Sequence, residues 1–247
     1  MKLSILTLFC STFLNCLIAE ENLVKKDAVL KSRHTYGQTP LLEQNMDIDP
    51  MLQFDQWFKE AKENPFIVEA EIAVLSTTHD CQSHLRSMKV LNIKNGGFVL
   101  ITNLNSSKAT AIKNNPKVSL LFPWYAMDRQ VIVFGTAKQL SEREADDYFA
   151  SIPWASQIGA WVSDQSKKIS SREELELRWK EFASIHPQGT IIKRPQNFGC
   201  FLIVPQTIEF FQARHANPQE LFRTYGYADR IIYTKKDSKW TMDRLQS

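Results

Sequence analysis

The sequence predicts an α+β fold: an antiparallel β-barrel with helices at its edges. Three observations carry that expectation. Short segments rich in β-branched and aromatic residues follow one another with turn signals between them. The few helical patterns do not alternate with strands as βαβ units would require. Fifteen Phe, six Trp and six Tyr suit cross-strand packing in a β-rich body. At 247 residues, with 43% apolar and 23% charged residues, the chain has an ordinary globular composition and the length of one or at most two domains. A formal charge of +3, with no basic stripe interleaved with aromatics, argues against nucleic acid as a partner.

The first nineteen residues place Lys2 before an apolar run from Leu3 to Ile18, and Ala19 before Glu20 and Glu21. This is the pattern of a secretory signal, too short for a spanning helix, and it leaves no membrane span once removed. It implies a secreted or lumenal protein, with an intracellular location as the alternative. Removal takes Cys10 and Cys16 with it, and Cys81 and Cys200 are then expected as unpaired, buried thiols. Residues 20–48 are polar and aperiodic as far as Asn45 and read as a flexible arm, leaving 49–247 as the folded domain.

Asp49 can cap a helix that Pro50 opens, with Leu52, Phe54, Trp57, Phe58 and Ala61 as its buried stripe. After Asn64 and Pro65 the period changes. Strands are expected at Glu71–Thr77, His84–Ile93, Phe98–Thr102, Val118–Trp124 and Gln130–Leu140, with Asn95, Gly96 and Gly97 as a hairpin turn. Ser141 with Glu144 and Ser171 with Glu174 have capping-box spacing and start two later helices. Strands resume at Cys200–Val204, Thr207–Gln212, Arg230–Thr234 and Lys239–Arg244.

Two segments carry candidate chemistry. Residues 156–166, SQIGAWVSDQS, set small hydrogen-bonding side chains between apolar anchors, which suits either the polar rim of a flat cofactor or an ordinary helix with its exit turn. Asn105–Ile112 reads as the start of a helix, whose free N–H groups can hold a phosphate with help from Ser106, Ser107 and Lys108; a capped surface helix reads the same way. No axial-ligand arrangement for a heme stands out, no metal site is assigned, and the catalytic residues stay unassigned.

From about Asp49 to Leu245 the order and spacing of DPMLQF, the Arg86 strand, GGFVLITN, SSK, NNPKVSLLF, DRQV, YFAS, SQIGAWVSDQS, SREEL, IEFFQ and WTMDRL resemble the pyridoxamine 5'-phosphate oxidase family, FMN-dependent enzymes with a split barrel. The resemblance implies a homodimer with FMN at the subunit interface. It implies cofactor contacts from the strand residues Arg86, Ser87, Met88 and Lys89, from Ile101 and Thr102, and from Ser107 and Lys108. Gln130, Gln165, Ser166 and Phe211 complete that set, and a small-molecule substrate would meet Tyr148, Ser156, Asn217 and Gln219. It further implies that a B6 phosphate is oxidised to pyridoxal 5'-phosphate with oxygen as acceptor.

The chain departs from the family pattern on the substrate side. A lysine is replaced by Leu91, an arginine by Ile152, and RLHDR by NPQEL, which puts Asn217, Gln219 and Leu221 at cationic or histidine positions. Lys89, Arg214 and His215 are the nearby basic residues able to compensate. On the cofactor side Ser107 stands for an arginine and Phe211 for a tryptophan, and Leu221 removes a further cation. Asn105-Ser106-Ser107 is an N-glycosylation sequon inside the proposed phosphate loop. The sequence therefore supports an FMN-dependent oxidoreductase with altered substrate contacts, the alternative being a secreted or lumenal, non-catalytic split-barrel binding protein.

Overall fold

The computed structural model describes residues 23–33, 35–214 and 228–247. The leader, His215 and the NPQEL segment, including Asn217, Gln219 and Leu221, lie outside them. Eight strands form one antiparallel sheet: β1 (Ile72–His79), β2 (Gln82–Lys94), β3 (Gly97–Asn103), β4 (Lys117–Trp124), β5 (Arg129–Gln139), β6 (Phe198–Ala213), β7 (Ala228–Lys236) and β8 (Lys239–Leu245). Their order is β3-β2-β1-β4-β5-β6-β7-β8, and a further pairing of β3 with β6 closes the first six into a barrel. Closure pairs the β3 edge with β6, while β7 and β8 extend the sheet beyond the barrel and leave β8 as an edge strand.

The β2–β3 hairpin turns where expected, with positive φ at Asn95 (51°) and Gly96 (69°), the left-handed pair a tight two-residue turn demands. Gly97 is required for another reason: a Cβ there would lie 2.6 Å from the Ile203 carbonyl oxygen. The segments expected as two strands, Cys200–Val204 and Thr207–Gln212, are one sixteen-residue strand. The register shift at Phe134/Gly135 leaves Gln206 as the extra residue of β6, beside Pro205, which stays opposite Gly135, so the proline does not end the strand.

Helix α2 (Pro50–Glu63) is capped by Asp49 and packs Phe54, Trp57 and Ala61 into the barrel core. Phe54 meets the Phe98 and Phe122 rings at centroid distances of 4.9 and 4.8 Å, in edge-on contacts. Strand β3 is buried on both faces. Phe98 and Leu100 point into the barrel, whereas Val99 packs outward against α4 (Glu142–Ser151) and α5 (Trp154–Val162) through Phe149 and Ile158. Helix α6 (Arg172–Ile185) follows. Ser141 and Glu144 form the full capping box; Ser171 caps α6, but the Glu174 carboxylate turns to Ser170 and Arg178 instead.

The described part of the segment expected as a flexible arm, residues 23–33 and 35–48, differs from that expectation. A helix, α1, covers 23–33, and Ser32 Oγ donates to the Ala126 carbonyl at 3.0 Å. Arg33 pairs with the buried Asp128. Leu41 and Met46 join the barrel core, and Arg244 clamps Glu43, Asp229 and the Leu41 carbonyl. Ion pairs and backbone acceptors far along the chain hold this segment, and such partners leave no periodic trace. Cys81 also differs from expectation: it is exposed at a turn, while Cys200 is buried, and both are free. Burial pushes the Cys200 thiol up to about 12. Among the described residues no helix is long and apolar enough to cross a membrane.

Candidate functional site

Helix α3 (Ser107–Asn114) begins where β3 ends, its N-cap Ser106 accepting from the Ala109 N–H. Ala109 and Ile112 bury the helix against the barrel core, which fixes where its first turn points. That turn holds Lys108, whose Nζ donates to Thr102 Oγ1 at 3.2 Å and to Gln165 Oε1 at 2.9 Å. Arg86, half-buried on β2, donates from Nη1 to Thr77 Oγ1 at 2.7 Å. Burial, and then the positive charge of Arg86, hold the Lys108 ammonium below the usual lysine range; burial lowers Arg86 as well. Neither cation has a carboxylate partner among the described residues. Two converging charges partly stripped of water and lacking a counter-charge are costly alone and complementary to an anion.

The segment SQIGAWVSDQS divides at this site. Its first half is the body of α5, with Ile158 buried; its second half is the exit loop. Ser166 adopts φ 72°, and this left-handed turn returns its hydroxyl to within 3.2 Å of Ser107 Oγ and 3.3 Å of the Ser107 N–H. Gln165 sits between, completing a ring of hydroxyl, amide and ammonium groups around the start of α3. The helix-and-exit-turn reading of this segment therefore holds, and its exit loop carries the polar groups that meet the start of α3.

Beside this ring lies a cavity of about 350 Å³ between β2, β3 and α5. Met88, Lys89, Ile101, Thr102, Ser156 and Gln165, all named from the family resemblance, line this one cavity. Ser87 is exposed on the outward face of β2. Tyr148 borders an adjoining hollow that shares Leu91 and Ile152 with the cavity. The structure does not bring Gln130 and Phe211 to this cavity. They are cross-strand partners on β5 and β6, with Arg129 drawn to Glu60 of α2 at 2.5 Å beside them. Of the compensating residues, Lys89 pairs with Glu71 at 2.8 Å and Arg214 donates to the Gln38 carbonyl, while His215 lies outside the described residues.

Sequence reasoning missed Asn103, Ser163 and Asn197. Asn103 Nδ2 reaches the Ser163 carbonyl at 3.4 Å, tying the end of β3 to the exit loop. Asn197 lines the cavity with a buried Oδ1 that has no hydrogen-bond partner. It lies in an irregular segment before β6, where no periodic pattern singles it out.

Comparison with known proteins decides the family. A family model described as pyridoxamine 5'-phosphate oxidase matches residues 60–186. A pyridoxine/pyridoxamine 5'-phosphate oxidase from Shewanella frigidimarina is 39% identical over 213 residues, covering 86% of this chain and 96% of that protein. The chain belongs to the pyridoxamine 5'-phosphate oxidase family. A second relative of the same description, from Gloeothece citriformis, is 36% identical over 214 residues, covering 86% of this chain and 95% of its own length. Two solved structures share the oxidase-family barrel. PhzG from Burkholderia lata, in complex with tetrahydrophenazine-1-carboxylic acid, has a TM-score of 0.76 at 20% identity, covering 85% of this chain and all of that one. A pyridoxamine 5'-phosphate oxidase-related, FMN-binding protein from Nostoc punctiforme has a TM-score of 0.60 at 15% identity, covering 78% of this chain and 95% of that one.

The residues present fit a flavin phosphate. A dianion requires cations and N–H donors, and Arg86, Lys108 and the start of α3 supply them without a competing carboxylate. The polar rim of a flavin ring requires amides and hydroxyls, and Gln165 and Thr102 line the cavity.

Proposed function

We propose that this protein is an FMN-dependent oxidoreductase that oxidises the carbon bearing an amine or hydroxyl on a small ring compound of the B6 type. The pair Arg86 and Lys108, without a carboxylate partner among the described residues and with Lys108 bonded to the cavity-lining Thr102 and Gln165, carries the reading. Arg86, Lys108 and the Ser107 and Ser166 hydroxyls would hold the flavin phosphate, and Thr102 and Gln165 would orient the ring system. When bound, FMN would supply a two-electron acceptor for the hydride of the substrate carbon, with oxygen as the final oxidant. The chain's own contribution is orientation and exclusion of water. Ser156, from α5, and Ile101, from β3, would press a substrate ring against the cofactor.

Gln130 and Phe211 stand apart from the cavity within one chain, and both face outward: each is only partly buried, while their neighbours Val131 and Phe210 fill the core. A homodimer that laid this β5–β6 surface over the partner's cavity would give both residues the cofactor role that the family resemblance assigns them.

The test is to purify the full chain, record its visible absorbance and identify the released flavin by chromatography. FMN in near-equal ratio to protein supports the assignment; a colourless protein that takes up no added FMN refutes it. Oxygen-dependent turnover of B6 compounds then separates an oxidase from a binding protein that merely retains the cofactor.

A further inference from the structure

The substrate end of the cavity carries its own chemistry, and this inference rests on the flavin reading above. The 350 Å³ cavity and the adjoining hollow meet at Leu91 and Ile152, side chains brought together from β2 and the end of α4. Among the described residues that line the two, the one cation is Lys89, and Glu71 holds it at 2.8 Å with Glu69 at 3.7 Å. Glu144 and Asp147, on α4, stand along the outer hollow near Tyr148. A phosphate dianion entering there would shed water against two aliphatic side chains and face carboxylates of its own sign. A neutral substituent would meet no such cost. In the lining of the same cavity, the partnerless Asn197 Oδ1 is an acceptor awaiting a donor.

We propose that this pocket selects an unphosphorylated ring alcohol or amine, with Leu91 and Ile152 seating its uncharged substituent and Asn197 accepting a hydrogen bond from its hydroxyl or N–H group. Leu91 and Ile152 are thereby specificity residues.

Calorimetric titration of the full chain with pyridoxine and with pyridoxine 5'-phosphate tests this, after flavin content has been measured. A flavin-free chain defeats the cofactor reading, but the two ligands still discriminate at the pocket. Pyridoxine is expected to bind at least about tenfold more tightly than its phosphate, and the double variant Leu91→Lys, Ile152→Arg to improve phosphate binding by about a hundredfold, one order for each restored charge-assisted contact. Leu91 is 37% exposed, so Leu91→Lys alone remains a usable variant if the double one folds poorly. Asn197→Ala should weaken pyridoxine about tenfold. Preference of the parent chain for the phosphate, binding of neither ligand, or an unchanged ratio in the Lys and Arg variants overturns the proposal.

Discussion

Replacing Lys108 by Met separates anion recognition from folding. In the protein the ammonium is half-buried, lies within the field of Arg86 and is held only by the neutral groups Thr102 and Gln165. Its removal relieves a desolvation cost and a like-charge repulsion while giving up two hydrogen bonds to a charged donor. These oppose each other, so stability of the flavin-free protein should change by less than about 1 kcal/mol in either direction. The same substitution takes a charge-assisted contact from the phosphate, worth roughly 1.5–3 kcal/mol, which is about a ten- to hundredfold rise in the Kd for FMN. Quenching of FMN fluorescence on titration with flavin-free protein gives the Kd, and thermal unfolding followed by circular dichroism gives the stability. An FMN Kd within twofold of the parent, or a Kd change matched by an equal loss of stability, would refute the phosphate clasp.

The same geometry sets a pH dependence. Lys108 titrates below its ordinary value when free, and a bound dianion would raise it, so binding takes up a proton between those two values. FMN affinity should therefore fall as pH rises through that alkaline window, and a flat profile there in fluorescence titrations counts against Lys108. Phe54 is 1% exposed amid the rings of Phe58, Phe98, Phe122 and Trp124, and Phe54→Ala should cost about 3–5 kcal/mol in denaturant unfolding. Asp128→Ala removes the acceptor of Arg33, and limited proteolysis should then cut within 23–33 faster than in the parent chain; equal rates would mean that α1 is held by other contacts. Under native conditions a thiol reagent should modify Cys81 and spare Cys200, because burial keeps the latter protonated and inaccessible; equal labelling would contradict the placement of β6.

The barrel was readable because its signals are local. Alternation in β1 and β4, the Asn95-Gly96 turn and the Asp49 cap each specify conformation within a few residues. The unity of β6 was not, since Pro205 normally interrupts a strand and only the shifted register opposite Gly135 accommodates it. The course of residues 23–33 and 35–48 was hidden for a different reason: Arg33, Leu41 and Glu43 find partners at Asp128, Asp229 and Arg244, far away in sequence. At the site, Lys108, Thr102 and Gln165 were named from family spacing, and the structure brings their polar atoms into contact. The meeting of Leu91 with Ile152 requires the docking of α4 beside β2, a relation that neither segment encodes alone.

The seam between β3 and β6 joins positions such as Phe98 and Ile203, 105 apart along the chain. Loop-closure entropy opposes so distant a pairing until the intervening strands have assembled, so this step should come late and slowly. During synthesis the Gly97–Asn103 strand must wait for its partner positions 198–203, about a hundred residues further on, to emerge. Until then it presents an apolar ribbon with unpaired amides, the state most vulnerable to aggregation and most dependent on chaperones.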